Sequence, residues 1–319
     1  SLLTSLTGDG HGNLVADTTT CVTDDAGAFA CEDSGCTDGE STSYQASSSL
    51  FGTAISFSVS CAEDEATTVA VTETTAGADQ SAGVKWLVIP GSYDGIQLLL
   101  SDLKGCTLTG SSSSPASMTS STECETAGLT VLDSSDVSTF LSTETLSEYQ
   151  AIFANCDADY GDDGDITSAL QTYVEAGGNM YFSDLADSWL TSDFPNLVTF
   201  PSNKNSTSAG TLSDATVVDT GLQVFLGSSS SPQATMEIEF DLGVWTAMEE
   251  VISTWTTYIQ SDVSSLASSL TGTRPITVGG PNADGCIFYT SYHVEGAVTG
   301  SDQENALKYL VLNRMNNCD

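Results

Sequence analysis

Short apolar runs alternate with helix-like stretches through the chain from Gly83 onward. The apolar runs lie at residues 84–89, 129–132, 151–154, 179–182 and 286–290. Each is too short for a buried helix and is bounded by turn residues, as is typical of strands covered on both faces. Helix-like stretches separate them at residues 96–103 and 166–176, and Gly177 follows the second where a left-handed helix end needs glycine. The alternation predicts an α/β fold with a doubly wound, mostly parallel sheet.

This predicted α/β domain spans residues 83–319 and carries an insertion around residues 224–272. Within the insertion, apolar and acidic residues alternate over residues 236–242, which predicts a strand with one acidic face. Further on, apolar residues recur at a spacing that predicts a helix packed into the core: Val251, Trp255, Tyr258, Ile259, Leu266 and Leu270. Near the C-terminal end, Ser301 and Glu304 form a capping box that starts a last helix.

Residues 1–82 have a different character, with many small polar residues and little helical periodicity. Alternating apolar residues predict one strand at residues 55–61 and another at residues 69–71. So short a segment buries little core, and four cysteines are available to staple it: Cys21, Cys31, Cys36 and Cys61. We predict a small β-rich module whose cysteines pair among themselves, joined to the α/β domain by a linker at residues 72–81.

The charge balance excludes some functions. The chain has 319 residues, with 43 Asp and Glu against 6 Lys and Arg, for a formal net charge of −37. Six basic residues cannot neutralise a phosphate backbone or an anionic membrane surface. We therefore expect no nucleic-acid or membrane partner. The same charge repels other copies of the chain unless salt or bound cations screen it. Adaptation to high salinity and cation binding both remain open as explanations of the acidity.

Nine cysteines indicate an oxidising compartment. With no CxxC pair and two histidines in the chain, disulfides are a better prediction than a zinc site. Cys106 and Cys124 bracket a Ser-rich loop and form a natural local disulfide. Two of the remaining three, Cys156, Cys286 and Cys318, are expected to pair. The odd one is left free, buried or bonded to another chain.

Other features agree with an extracellular or cell-surface location. The chain begins at Ser1 without a methionine or an apolar leader, so we expect an exported protein whose signal has been removed. No apolar run approaches the roughly 18 residues of a membrane span. Asn205 begins the sequence Asn-Ser-Thr, which predicts an N-glycosylation site if the producing cell glycosylates.

Three segments of the α/β domain resemble the class I glutamine amidotransferase-like family. Residues 85–91 (KWLVIPG) are similar to its opening strand, residues 177–184 (GGNMYFSD) to the strand before its nucleophile turn, and residues 289–296 (YTSYHVEG) to its late histidine motif. The resemblance covers residues 83 to 318 and is to divergent secreted bacterial members. It implies a flavodoxin- or amidotransferase-like arrangement of the sheet.

The same resemblance identifies a candidate catalytic set with altered chemistry. Ser183 stands where the family has its nucleophilic cysteine, without the flanking glycines, and His293 and Glu295 match the late motif without its proline. Glutamine hydrolysis is therefore not expected. Ser183, His293 and Glu295 predict acyl transfer, with His293 taking the serine proton. Alternatively, Ser183 caps the following helix and His293 is a hydrogen-bonded relic.

An acidic loop follows the predicted strand at residues 151–154. It contains Asp157, Asp159, Asp162, Asp163 and Asp165 among glycines, the oxygen-rich, flexible composition that Ca²⁺ prefers. In a doubly wound sheet this loop lies at the carboxyl edge, where Asp94 approaches the same crevice. The sequence predicts a calcium site here. The alternative is a solvated loop in which Asp165 caps the next helix.

The first six residues are unusually apolar for a free terminus. Leu2, Leu3 and Leu6 predict a strand that docks in its own module or completes the sheet of a neighbouring copy. With the altered nucleophile turn, the acidic surface and the odd cysteine, this favours a secreted, non-enzymatic structural subunit that assembles with copies of itself into a filament or layer. The alternatives are an extracellular serine hydrolase and a calcium- or sugar-binding surface module.

Overall fold

The computed structural model describes residues 84–111, 117–158, 164–227, 231–294, 301–315 and 318, and the backbone of residues 41–48 and 53–60. The chain divides into two compact units, Ser1–Val84 and Lys85–Asp319. Within the described residues, no helix is both long and apolar enough to cross a membrane.

The first unit contains an antiparallel pair of strands, β1 (Ser41–Ser48) and β2 (Thr53–Ser60). The strand predicted from residues 55–61 is thus confirmed. The strand predicted at residues 69–71 lies outside the described residues. So do the N-terminal leucines Leu2, Leu3 and Leu6 and the four cysteines Cys21, Cys31, Cys36 and Cys61.

The second unit is built on a nine-stranded sheet, which confirms the α/β class. Its strands are β3 (Trp86–Ile89), β4 (Leu129–Val131), β5 (Ala151–Ala154), β6 (Asn179–Ser183), β8 (Gly210–Val217), β9 (Thr235–Phe240), β11 (Thr256–Asp262), β12 (Thr273–Asn282) and β13 (Gly285–Thr290). Their order is β4-β3-β5-β6-β13-β12-β11-β8-β9. The first five are parallel, and the others extend the sheet by antiparallel pairing. A small separate pair joins β7 (Val198–Thr199) to β10 (Glu250–Val251).

Helices cover the sheet and connect its parallel strands. They are α1 (Ile96–Lys104), α2 (Thr122–Thr126), α3 (Val137–Thr143), α4 (Gly164–Glu175), α5 (Asp187–Asp193), α6 (Thr220–Leu226) and α7 (Asp302–Tyr309), the last followed by a π-helical turn at Leu310–Arg314. Helices α1 and α4 lie where the periodicity predicted them. The capping box is also confirmed, because the Ser301 side chain accepts a hydrogen bond from the backbone N–H of Glu304.

The central strands carry the core because both of their faces are covered. Every residue of β3, β5, β6 and β13 is buried, which explains why these strands read as continuous apolar runs. Aromatic rings of neighbouring strands contact each other, as in the tilted pair Phe153 and Tyr181. The sheet is thus a rigid base for the loops at its carboxyl edge.

The helix predicted from Val251 to Leu270 is wrong. This segment forms β10, β11 and turns. Its apolar residues are nonetheless core residues, since Trp255, Tyr258 and Ile259 are buried. The run Thr256–Asp262 is rich in β-branched and aromatic residues, and pairing with β12 and β8 on its two sides overrides the helical spacing. The neighbouring strand predicted at residues 236–242 is confirmed as β9.

Two disulfides lie in the described part of the second unit. Cys106 pairs with Cys124, as the sequence predicted. Cys286 pairs with Cys318 and so ties the C-terminal end to the start of β13. This leaves Cys156 as the free, buried cysteine among these residues. Because Cys156 has 0% exposure, it cannot provide the predicted bond to another chain.

Candidate functional site

The candidate site lies at the carboxyl edge of the parallel strands. Asp94 follows β3, Cys156 follows β5, Asp184 follows β6 and His293 follows β13. Parallel strands end at a common edge, so side chains distant in sequence meet there. β3 and β5 flank the point where the strand order reverses, which is where doubly wound sheets open a crevice.

The sharp turn after β6 is centred on Asp184 and not on Ser183. Ser183 is the last residue of the strand and has extended backbone angles (φ −121°, ψ 138°). Asp184 has φ 45°, in the left-handed region that a side chain rarely adopts. The Tyr289 hydroxyl donates a hydrogen bond of 2.7 Å to the Asp184 carbonyl and so helps to hold the turn. The sequence-based placement of Ser183 at the strained nucleophile position is therefore corrected by one residue.

The Ser183 hydroxyl donates to Asp94 Oδ2. Asp94 Oδ1 in turn accepts backbone N–H groups from Ile96 at 3.0 Å and Val294 at 3.4 Å. Both Ser183 and Asp94 have 0% exposure. The described contacts of Ser183 include no hydrogen bond to His293, and its side chain does not cap the following 3₁₀ turn. Ser183 thus forms a buried link between the ends of β6 and β3; the capping role predicted for it is wrong, and its catalytic role stays a prediction.

His293 is held between two carboxylates. Its Nδ1 lies 3.3 Å from Asp184 Oδ2, and its Nε2 lies 3.0 Å from Asp241 Oδ1, although the second contact is not aligned as a good hydrogen bond. Burial would lower the pKa of His293, but the contacts with Asp184 and Asp241 outweigh it and raise the pKa. The two neighbouring carboxylates thus favour the protonated imidazole. The predicted third member, Glu295, lies outside the described residues.

Cys156 completes the cluster. Its Sγ lies 3.6 Å from Asp184 Oδ2, and burial raises the pKa of the thiol to about 12. A thiol that is neutral and sealed from solvent is a poor nucleophile. Donor atoms of Cys156, Asp184 and His293 all lie within 4.8 Å of one another. Sequence reasoning missed this group, because Cys156 and His293 lie far apart in the chain.

The carboxylates of the cluster are costly to bury. Desolvation raises the pKa of both Asp94 and Asp184, and the nearby His293 charge opposes the rise at each. Asp184 Oδ1 also accepts the Thr246 backbone N–H at 2.8 Å. When protonated, His293 offsets the negative charge of both buried acids, Asp94 and Asp184.

A second polar network, also missed from sequence, adjoins the cluster through Thr246. The Thr246 hydroxyl donates to Asp187 Oδ1 at 3.1 Å, and Lys204 forms an ion pair with Asp187 Oδ2. Asn205 lies beside them, and its Oδ1 contacts the Thr246 hydroxyl at 3.1 Å. Asn205 itself is exposed, so its predicted glycosylation stays a prediction.

Removing the Lys204 charge should destabilise the protein in a pH-dependent way. We expect Lys204→Met to cost about 2 kcal/mol at pH 7, less than for a fully buried pair because the Lys204 side chain is 30% exposed. Desolvation raises the pKa of Asp187, and the Lys204 charge opposes this rise. Without Lys204, the pKa of Asp187 therefore rises further. A buried carboxyl with a raised pKa costs little while it is protonated at low pH, and it lowers the free energy of unfolding as the pH rises through that pKa. The cost should therefore shrink toward pH 4.

Urea unfolding at pH 7 and pH 4 measures this effect. Lys85→Met is the matched control, since Lys85 pairs with the exposed Glu148 and its loss should change little. Equal losses in the two variants, or a Lys204→Met loss that is constant with pH, would show that Asp187 does not depend on Lys204.

Of the predicted calcium ligands, the structure describes Asp157 and Asp165. Asp157 is exposed with φ 62°, and Asp165 is exposed within the first turn of α4 and is not its cap. Asp159, Asp162 and Asp163 lie outside the described residues, so calcium binding stays a prediction. Asp94, predicted to approach the same crevice, does so: its carbonyl accepts a hydrogen bond of 3.4 Å from the Asn155 side chain, and its carboxylate accepts the Ser183 hydroxyl.

A shallow depression opens beside His293. Its lining includes Asp184, Glu239, Asp241, Trp245 and His293. Three of these residues are acidic, so the electrostatic potential in the depression favours cations over anions.

Comparison with known proteins gives likenesses of structure only. No family model and no curated protein sequence matches this chain. A putative ThuA-like protein from Bacteroides uniformis is 14% identical, with 76% of this chain and 93% of that chain covered at a TM-score of 0.45. A putative ThuA-like protein from Parabacteroides merdae is 13% identical, and the match covers 72% of this chain and 90% of that chain at a TM-score of 0.44. PurLQS from Thermotoga maritima is 13% identical, and the match covers 72% of this chain and 98% of that chain at a TM-score of 0.41.

The described residues of the second unit form a doubly wound, mostly parallel α/β sheet. Five parallel strands in the order β4-β3-β5-β6-β13 carry the turn after β6 and the histidine after β13 at one edge. The mostly parallel α/β sheet predicted from the sequence is thus confirmed.

Proposed function

We propose that this chain is a secreted, non-enzymatic structural subunit that assembles with copies of itself at the cell surface or outside the cell. The observation that carries the non-enzymatic part is the hydrogen bond from Ser183 to Asp94. A serine nucleophile needs its proton directed at a base and its oxygen open to substrate. The Ser183 hydroxyl is directed at the Asp94 carboxylate and not at His293, and the side chain has 0% exposure, so its oxygen is closed to substrate.

The strand edges of the protein favour one route of assembly. Both edges of the nine-stranded sheet are covered within the described residues. On β9, the backbone N–H groups of Glu237 and Glu239 bond to Asp302 and Gln303 of α7. On β4, the Val131 N–H bonds to the Ser120 hydroxyl. Covered edges do not accept a further strand.

The strands β1 and β2 differ from this, since in the described part of the chain they pair only with each other. A two-stranded sheet is marginally stable alone and has two edges that can accept a third strand. The apolar N-terminal segment with Leu2, Leu3 and Leu6 is a suitable strand, supplied by a neighbouring copy. The high negative charge would then limit assembly to conditions in which salt or cations screen it.

Replacing the N-terminal leucines tests the proposal. We expect Leu2, Leu3 and Leu6 changed together to Ser to abolish the fast-sedimenting species that the unchanged chain forms in moderate salt. Ser1→Ala with Ser5→Ala is the matched control, because it alters the same segment and keeps its apolar residues. Sedimentation velocity of the three chains makes the comparison. A leucine variant that assembles like the control would refute strand exchange.

The catalytic alternative has its own readout in the same preparations. A fluorophosphonate labels activated serines, and we expect no adduct on Ser183 by mass spectrometry. Labelling of Ser183 that disappears in Ser183→Ala would replace the structural proposal with an extracellular serine hydrolase.

A further inference from the structure

The group formed by Cys156, Asp184 and His293 has the donor atoms of a transition-metal site. A thiol, a carboxylate and an imidazole come from the ends of β5, β6 and β13, and all three residues are at least nine-tenths buried. Sulfur and imidazole nitrogen are ligands for Zn²⁺ and related ions, whereas Ca²⁺ and Mg²⁺ are bound by oxygen alone.

The spacing of the donor atoms matches tetrahedral coordination. Zinc bonds of about 2.0–2.1 Å to nitrogen and oxygen and about 2.3 Å to sulfur place N and O about 3.3–3.4 Å apart, and S and O about 3.6 Å apart. His293 Nδ1 lies 3.3 Å from Asp184 Oδ2, and Cys156 Sγ lies 3.6 Å from the same oxygen. Two of the three separations are thus those that a shared ion imposes, and the third, between Cys156 Sγ and the His293 ring, is within 4.8 Å.

The groups around these donors are those that support a metal. Ligating histidines commonly direct their other ring nitrogen at a carboxylate, and Asp241 Oδ1 lies 3.0 Å from His293 Nε2. The second oxygen of Asp184 is fixed by the Thr246 N–H at 2.8 Å. Asp94 adds a further buried carboxylate, and Glu239 lines the depression beside the group. A divalent cation that replaces the Cys156 thiol proton and the His293 Nδ1 proton would leave the net charge of the group unchanged.

We propose that Cys156, Asp184 and His293 bind one Zn²⁺-class ion per chain, separately from any calcium held by the acidic loop. On binding, the Cys156 thiol and the His293 imidazolium each lose one proton to solvent, and Cys156 bonds to the metal through its thiolate. His293 coordinates through neutral Nδ1, and its Nε2–H faces Asp241. Three protein ligands leave a fourth position for a water from the depression. This site would lock the ends of three strands together, whether or not the chain assembles.

Cobalt is the probe, because Co²⁺ bound to a thiolate gives a sulfur-to-metal charge-transfer band and tetrahedral visible bands. The full chain, stripped with a chelator, is titrated with Co²⁺ in excess Ca²⁺, which occupies the acidic surface. We expect the bands to saturate at one Co²⁺ per chain and to vanish when Zn²⁺ is added. Absence of a charge-transfer band in the folded, unchanged chain would overturn the proposal without recourse to any variant.

Two variants and a control test the site. Cys156→Ser should lose the charge-transfer band and bind Zn²⁺ at least 100-fold more weakly, while Asp165→Asn, the control on the acidic loop, should match the unchanged chain. Asp241→Asn should keep the band and weaken binding about 10–100-fold. Near-UV circular dichroism checks that each variant is folded. A band that survives in Cys156→Ser would place the metal at other cysteines and refute this site.

Discussion

Replacing His293 by alanine is expected to destabilise the second unit by about 3–5 kcal/mol, the range for removing one partner from a buried charge pair. Asp94 and Asp184 would then be buried without a cation, at 0% and 1% exposure. Their pKa values are already raised by desolvation and are held down by His293. The variant must therefore protonate these acids on folding or admit water to the edge of the sheet.

Urea unfolding in a buffer that contains a chelator measures the effect without any contribution from metal. Asp94→Asn is the matched control. Asparagine can still accept the Ile96 and Val294 N–H groups and removes a buried charge, so a change below about 1 kcal/mol is expected. Combining it with His293→Ala should restore part of the loss. A His293→Ala protein as stable as the unchanged chain would mean that the two carboxylates are neutral or solvated.

Removing the disulfide between Cys286 and Cys318 has the second largest expected effect. The bond closes a loop of sequence separation 32, which contains His293 and α7. Chain entropy predicts that Cys286→Ala with Cys318→Ala lowers the free energy of unfolding by about 3–4 kcal/mol. The pair Cys106 and Cys124, with separation 18, should cost somewhat less and serves as the comparison.

Thermal and urea unfolding of the two double variants test the disulfide prediction. Reduction of the unchanged chain should approach the sum of the two losses. Such a dependence is what a protein of an oxidising compartment requires. An unaltered unfolding midpoint after loss of Cys286 and Cys318 would show that the C-terminal end is held by packing of α7 alone.

The sequence predicted the parts of the fold that depend on local pattern. Strands β3, β5 and β6 are continuous apolar runs because both faces are covered, and the Ser301 cap is a local hydrogen bond. The helix predicted over Val251–Leu270 failed because neighbouring strands decide the conformation of Thr256–Asp262. The pairing of these strands is a tertiary effect, which the spacing of apolar residues in the sequence does not reveal.

The sequence predicted that Ser183 and His293 lie at one edge of the sheet, but not which residues surround them. The ends of β6 and β13 do meet, so Ser183 and His293 were found at the correct edge. A one-residue difference in the turn moves the strained position to Asp184, and the partners of His293 come from segments without a motif. Cys156 had no basic neighbour in sequence, whereas in the fold it lies close to His293. Only the strand order brings these residues together.

Negative-stain electron microscopy of the purified full chain tests the proposed function most directly, in moderate salt with and without Ca²⁺. We expect regular filaments or layers, formed more readily when cations screen the charge of −37. These should be absent when Leu2, Leu3 and Leu6 are replaced. Dispersed single particles of the unchanged chain under both conditions would contradict self-assembly as its function.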